Sequence, residues 1–169
     1  RTVAVNDAKL RAQVEGYLLE RKFEEGDDIE QGAELFIIDP ALYEAGVAAA
    51  EGKVAQTKAA LSRANKDLAR YRTLIQKQNV SQQKLDESES DKLQEEANLK
   101  SAEAALQKAR IDLSHTVIRA PFRGRIGRSA ASVGELVTPQ SDPLARLVEL
   151  DPIYANFSVS ERDVIAAKR

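Results

Sequence analysis

The chain has 169 residues, 43% of them hydrophobic and 31% charged, with a formal net charge of −2. That length suits one ordinary domain, no run approaches the roughly 18 apolar residues of a membrane-spanning helix, and near-neutral charge argues against nucleic acid as a general partner. The absence of Cys excludes a disulfide frame and a thiol metal site, and with no Met or Trp and only 5% aromatics, burial must come mostly from Ala, Leu, Val and Ile.

In chain order, "RTVAVN" (1–6) alternates apolar and polar residues, as a strand does. "LRAQVEGYL" (10–18) follows, and after it Gly26, then Asp27 and the apolar Ile29; the segment closes on "LFIIDP" at Pro40. This reads as short strand, turn at glycine, short strand. Asp39-Pro40 is a helix start signal, with Asp at the N-cap and Pro at the first helical position, where its missing N–H costs nothing. From there to about 114, Ala, Glu, Gln, Lys and Leu dominate and proline is absent. Val47, Val54, Leu61, Leu68 and Ile75 recur at heptad spacing, with Ala50, Thr57, Ala64 and Tyr71 filling the second seam position. A return helix from about Gln82 shows Leu99, Leu106 and Leu113 with Ala102 and Ala109. Run backwards, its register meets Leu85 but also Lys92, which predicts a local irregularity near Lys92 and Leu93. The short connection Gln76 to Ser81 requires antiparallel helices, forming an arm about 50 Å long at about 1.5 Å per residue. Arg63, Lys66, Arg70, Arg72 and Lys77 near the end of the first helix then come beside Asp86, Glu87, Glu89, Asp91, Glu95 and Glu96 at the start of the second, or these charges simply solvate the helix faces.

After the arm the first pattern returns. "IRAPFRGRI" (118–126) matches "LRAQVEGYL" position by position, Gly124 standing for Gly16 and Ile126 for Leu18. Gly134, Glu135 and Val137 repeat Gly26, Asp27 and Ile29 at the same separation, and "LVELDP" repeats "LFIIDP" slightly further along. Two copies interrupted by a long insertion predict a pseudo-two-fold β domain whose halves meet in space. The chain closes with "DPIYANFSVSE", whose alternating Ile153, Ala155, Phe157 and Val159 suit a strand beside "RTVAVN", and with "SERDVIAAKR", which reads as the beginning of a helix. It opens without Met and stops as this segment begins, so we read it as a piece of a longer protein.

Chemistry-bearing residues are few. His115 is the sole histidine, at the end of the second helix, where it suits the dipole better than a reaction. Gly124 and Gly127 lack the spacing and the Lys-Ser/Thr of a nucleotide loop. Arg119, Arg123, Arg125 and Arg128 alternate along a strand pattern with Phe122 as the aromatic among them, which suits a solvated strand face or a contact between copies better than nucleic acid. Asp27, Asp28 and Glu30 lack calcium-loop spacing, and a turn is a sufficient explanation for them. No catalytic group, cofactor or metal site is expected.

Near the arm's tip, Arg70 and Leu74 are one turn apart and share a face, and Ser81 begins the return helix opposite. On these residues alone two readings stand: a patch of one charged fork, one apolar knob and one hydroxyl open to a partner, or Ser81 as only an N-cap, Leu74 as a plug for the hairpin end and Arg70 as half of an ion pair with an acid on the return helix. A split β domain with an inserted helical hairpin, together with "QVEGYLLERKFEEGDDIEQGAELFIIDP", "RAPFRGRIGRSAASVGELVT" and "LDPIYANFSVSERD", resembles the periplasmic adaptors, or membrane fusion proteins, of tripartite resistance-nodulation-division (RND) efflux pumps, more than the adaptors of ABC transporters. The resemblance implies an α+β fold: a split lipoyl-like β-sandwich in two halves (10–39 and 116–150), an inserted coiled-coil hairpin (40–115), and β-barrel strands at the ends (1–9 and 151–169). It also implies a non-enzymatic periplasmic protein associated with the inner membrane of a Gram-negative bacterium. Arg70, Leu74 and Ser81 match the family's tip motif, which implies docking to an outer-membrane channel, with an inner-membrane RND exporter as the second partner and a ring of six adaptors. A lipoyl or biotinyl carrier subunit stays open as an alternative, but it needs an acceptor lysine in the turn where this chain inserts its arm. Lys77 and Lys84 against Asp86, Glu87 and Glu89 give the tip the wrong balance for nucleic acid.

Overall fold

The structure is a computed structural model describing residues 2–4, 6–76, 81–150 and 153–155. In chain order the elements are β1 (Thr2–Ala4), β2 (Asp7–Leu10), β3 (Gly16–Arg21), β4 (Asp28–Ile29), β5 (Glu34–Ile38), α1 (Ala41–Gln76), α2 (Gln82–Ser114), β6 (Val117–Arg119), β7 (Gly124–Ile126), β8 (Leu136–Val137), β9 (Ala145–Val148) and β10 (Ile153–Ala155). The chain divides into two compact units, a β unit from the residues before and after the helices, and a helical unit spanning Pro40–Ser114.

The β unit obeys the sequence repeat. One sheet runs β2-β9-β7-β4 and the other β6-β5-β3-β8. Exchanging each strand for its counterpart in the other copy turns the first order into the second. The hydrogen bonds repeat as well. The Gly26 N–H donates to the Ile126 carbonyl at 3.0 Å, and the Gly134 N–H donates to the Leu18 carbonyl at 2.7 Å. Ile126 N–H returns a bond to Asp27 O at 3.0 Å, as Leu18 N–H does to Glu135 O at 2.9 Å. In each turn the acid after the glycine caps a backbone N–H: Asp27 accepts from Glu24, and Glu135 from Ser132, both at 2.8 Å. Gly26 and Gly134 adopt φ of 95° and 88°, where a side chain is strained. Gly16 and Gly124 are required by close approach instead, since a Cβ there would sit 2.6 Å from Ile38 Cγ2 and 2.5 Å from the Val148 carbonyl oxygen.

Between the sheets lie Leu18, Leu35, Phe36, Ile38, Ile126, Val137, Leu144 and Leu147, all essentially without solvent exposure. Each such burial stabilises by about 1.5–3 kcal/mol. Phe23 meets Phe36 edge to face at 5.1 Å. The end strands β1 and β10 pair antiparallel, Thr2 opposite Ala155 and Ala4 opposite Ile153. Phe157, Val159 and the expected helix in "SERDVIAAKR" lie outside the described residues.

In the helical unit, α1 begins at Ala41, and the Glu44 N–H donates to the Pro40 carbonyl at 2.9 Å, in keeping with a start at Asp39-Pro40. Every expected seam residue of α1, from Val47 to Ile75, is buried or half-buried. Three ion pairs cross between the helices: Glu51 with Arg110 at 2.8 Å, Lys58 with Glu103 at 3.9 Å, and Arg72 with Glu89 at 2.9 Å. They advance along α1 in multiples of a heptad and retreat along α2 by the same steps, which fixes one continuous antiparallel register. Heptad stepping in that register sets at the same level Val54 and Leu106, Thr57 and Ala102, Leu61 and Leu99, Ala64 and Glu95, Leu68 and Lys92, Tyr71 and Ser88, and Ile75 and Leu85.

The expected irregularity near Lys92 and Leu93 is therefore corrected. Leu85, Ser88, Lys92, Glu95, Leu99, Ala102, Leu106, Ala109 and Leu113 are all at least half-buried, in unbroken heptad alternation, while Leu93 faces solvent. Lys92 occupies the seam itself, its alkyl stem packing while its ammonium reaches Glu96 at 3.0 Å.

Candidate functional site

The tip is where α1 ends at Gln76 and α2 begins at Gln82; residues 77–80 between them, Lys77 included, lie outside the described residues. Arg70 is exposed on the outer side of α1. Its guanidinium donates to Asp67 Oδ1 at 2.6 Å and lies 5.5 Å from the centre of the Tyr71 ring. The acid that holds Arg70 is thus on its own helix, one turn back, and not on the return helix as an ion pair across the hairpin requires. Arg72 is the member of the basic group that reaches the acidic helix, at Glu89.

Leu74 is half-buried, as is Ile75. The seam takes Ile75, and Leu74 at its shoulder keeps part of its surface in water. Ser81 is exposed and immediately precedes α2, and its carbonyl accepts the Lys84 N–H at 3.1 Å, which is the geometry of an N-cap position. Capping leaves its exposed hydroxyl accessible to a partner.

Tyr71 was visible in the sequence only as a seam residue, yet it organises the cations of the tip. Lys84, from α2, lies 5.9 Å from the centre of the ring that Arg70 covers from α1. Such contacts contribute about 0.5–1 kcal/mol at exposed sites. Lys84 also pairs with Glu87 at 2.8 Å, and that hydrogen bond raises the lysine pKa and lowers that of the carboxylate. Just below the tip, the small Ala64 and Ser88 leave a groove lined further by Asp67, Tyr71, Lys84 and Glu95. These groups, a fork of donors, a partly open isobutyl knob and a hydroxyl, are equipped for reversible contact with another protein.

The other singled-out residues are accounted for within the β unit. Arg125 grips Asp28 through two bonds at 2.9 and 3.0 Å, Arg119 pairs with Glu34 at 2.7 Å, and Arg123 with Glu30 at 3.4 Å. Three of the four arginines of that cluster are therefore paired with acids of the first half. Hydrogen bonding from Arg125 holds the Asp28 carboxyl below the ordinary range, and Arg146 does the same to Asp7. His115 is half-buried just after α2.

Residues 6–149 match the family model described as RND MFP, barrel-sandwich hybrid domain. The chain is 40% identical over its full length to the multidrug efflux pump subunit AcrA of Escherichia coli, and 39% to the multidrug export protein AcrE of the same organism, covering 43% and 44% of those proteins. It is 36% identical over its full length to the multidrug resistance protein MexA of Pseudomonas aeruginosa, covering 41% of it. The chain thus spans less than half the length of the curated relatives it matches. Among solved structures, a MacA-MexA chimera containing the MexA α-hairpin domain of Pseudomonas aeruginosa superposes with a TM-score of 0.64 at 28% identity, over 97% of this chain and 53% of the other.

Proposed function

Because the chain belongs to the RND membrane fusion proteins through its barrel-sandwich hybrid domain, we propose that it is the hairpin-bearing portion of a periplasmic adaptor that joins an inner-membrane RND drug exporter to an outer-membrane channel. The full-length likeness to AcrA, AcrE and MexA supports this reading. The tip contacts the channel through Arg70, Leu74 and Ser81. The observation that carries this assignment is the pairing of an exposed, oriented guanidinium at Arg70 with a Leu74 that the seam leaves partly open. An end-on contact of this size is modest, so several adaptors in a ring, six by the family's pattern, supply its strength through multivalency. The protein works in the periplasm, associated with the inner membrane, and its role is to bind and align partners without catalysing a reaction. The ABC-exporter alternative is disfavoured because residues 6–149 match the RND family model.

The test is complementation of cells lacking the adaptor with full-length protein, wild type or Leu74→Ser, at matched expression. A polar substitution of an apolar contact should abolish drug resistance without lowering protein level. Full resistance from the variant would move the channel contact away from Leu74, and failure of the wild type beside its own pump partners would contradict the adaptor assignment.

A further inference from the structure

We infer that the hairpin is built in two parts, a firmly zipped shaft and a distal segment that opens on its own, with the break at the layer of Leu68 and Lys92. This concerns helix pairing and stands apart from the docking assignment. Three observations meet at that layer. First, the crossing ion pairs occupy Glu51–Arg110, Lys58–Glu103 and Arg72–Glu89, and heptad stepping places Asn65 opposite Glu96 between the second and third. An amide stands where the pattern calls for a cation. Second, Glu96 draws its partner from its own helix: Lys92 reaches it at 3.0 Å with its side chain 32% exposed. A lysine stem thereby fills the seam position that a leucine fills elsewhere. Third, the neighbouring layers toward the tip and toward the base carry Ser88 and Glu95, a hydroxyl and a carboxylate in seam positions.

Below the break, Val54, Thr57 and Ala102 are buried and Leu61 and Leu99 are half-buried, while at and above it Leu68 and Ser88 are buried too, so the break lies in what the layers are made of, a lysine stem, a hydroxyl and a carboxylate, and not in their exposure. Above it, Ile75 and Leu85 make the next fully apolar layer, both half-buried. Coiled-coil stability is summed locally along the seam, so adjacent weak layers uncouple the segments on either side. The missing rung and the lysine in the seam are one feature: restoring a cation at residue 65 frees residue 92 to be apolar. The device gives a long lever a compliant end, letting the last turns of α1 and the first of α2 part or shift without loosening the shaft.

Hydrogen exchange of the full-length protein, wild type and Asn65→Lys/Lys92→Leu, tests this directly. The wild type should show a step, with amides of 68–76 and 82–92 exchanging at least tenfold faster than those of 50–61 and 99–109. The double variant should slow the distal amides at least tenfold and leave the proximal ones unchanged. Lys92→Leu alone, which leaves Glu96 without its partner, should recover only part of that protection. Equal protection along both helices of the wild type, or distal rates unmoved by the double variant, would overturn the proposal.

Discussion

The β unit and the hairpin are stabilised in different ways by one chain. The β unit places its large apolar side chains between two sheets, where Leu18, Phe36, Ile38, Ile126 and Leu147 all reach zero exposure, and locks the halves together with reciprocal turn hydrogen bonds. The hairpin has a seam one residue wide, in which Val54, Thr57, Leu68, Ser88 and Ala102 are its buried members. A core closed in three dimensions fails as a whole, because every residue supports several others. A linear seam fails layer by layer. The difference teaches that stability is shared across the β unit as a whole and distributed layer by layer along the hairpin.

The largest effect should come from the β core. Phe36→Ala removes a fully buried ring that packs against Phe23 and should cost about 3–5 kcal/mol, enough to unfold the β unit at physiological temperature, read by loss of its thermal transition. Leu68→Ala, by contrast, should cost about 2 kcal/mol and act locally. Its signature is faster hydrogen exchange from Leu61 to Gln76 and from Gln82 to Leu99, with the β unit unchanged; a spread of faster exchange into the sheets would break the comparison. The smallest effect is electrostatic. Asp28 and Asp7 are held below the ordinary carboxylate range by hydrogen bonds from Arg125 and Arg146. A depressed folded pKa stabilises at pH above the unfolded value of about 4 and loses that stabilisation as pH falls through the folded value. Thermal melts of the β unit should therefore be flat from neutrality to about pH 5 and decline below about pH 4. Arg125→Gln should flatten part of that decline, while hairpin melting keeps its own pH dependence.

Much of this architecture was legible in the residues. The repeat showed because glycine is demanded twice in each half for physical reasons, once by positive φ at Gly26 and Gly134 and once by close approach at Gly16 and Gly124. The first helix was legible because Val, Leu and Ile occupy one seam position throughout. The second misled because Lys92 stands in a seam position while the neighbouring Leu93, 63% exposed, faces water; hydrophobic pattern alone shifts the register there, and only the crossing ion pairs restore it. The partners of Arg119, Arg123 and Arg125 were hidden because sheet order brings them to Glu34, Glu30 and Asp28 from the other half of the chain. At the tip, Arg70 and Leu74 were placed by helical spacing. Asp67, one turn back on the same helix, was masked by the denser run of acids from Asp86 to Glu96 that folding back sets across from Arg70.

In the proposed adaptor the tip, and not the shaft, meets the outer-membrane partner. These 169 residues contain no cysteine, so within them an introduced thiol is unique, and the full-length protein without the introduced thiol is the control for any other. In cells, the full-length adaptor carrying Ser81→Cys, treated with a short thiol-to-amine cross-linker, should yield an adduct whose second component mass spectrometry identifies as an outer-membrane channel, whereas Leu93→Cys and Asn98→Cys on exposed positions of the shaft should not. Equal adducts from the shaft positions, or a Ser81→Cys protein that reaches normal levels and forms none, would contradict the account.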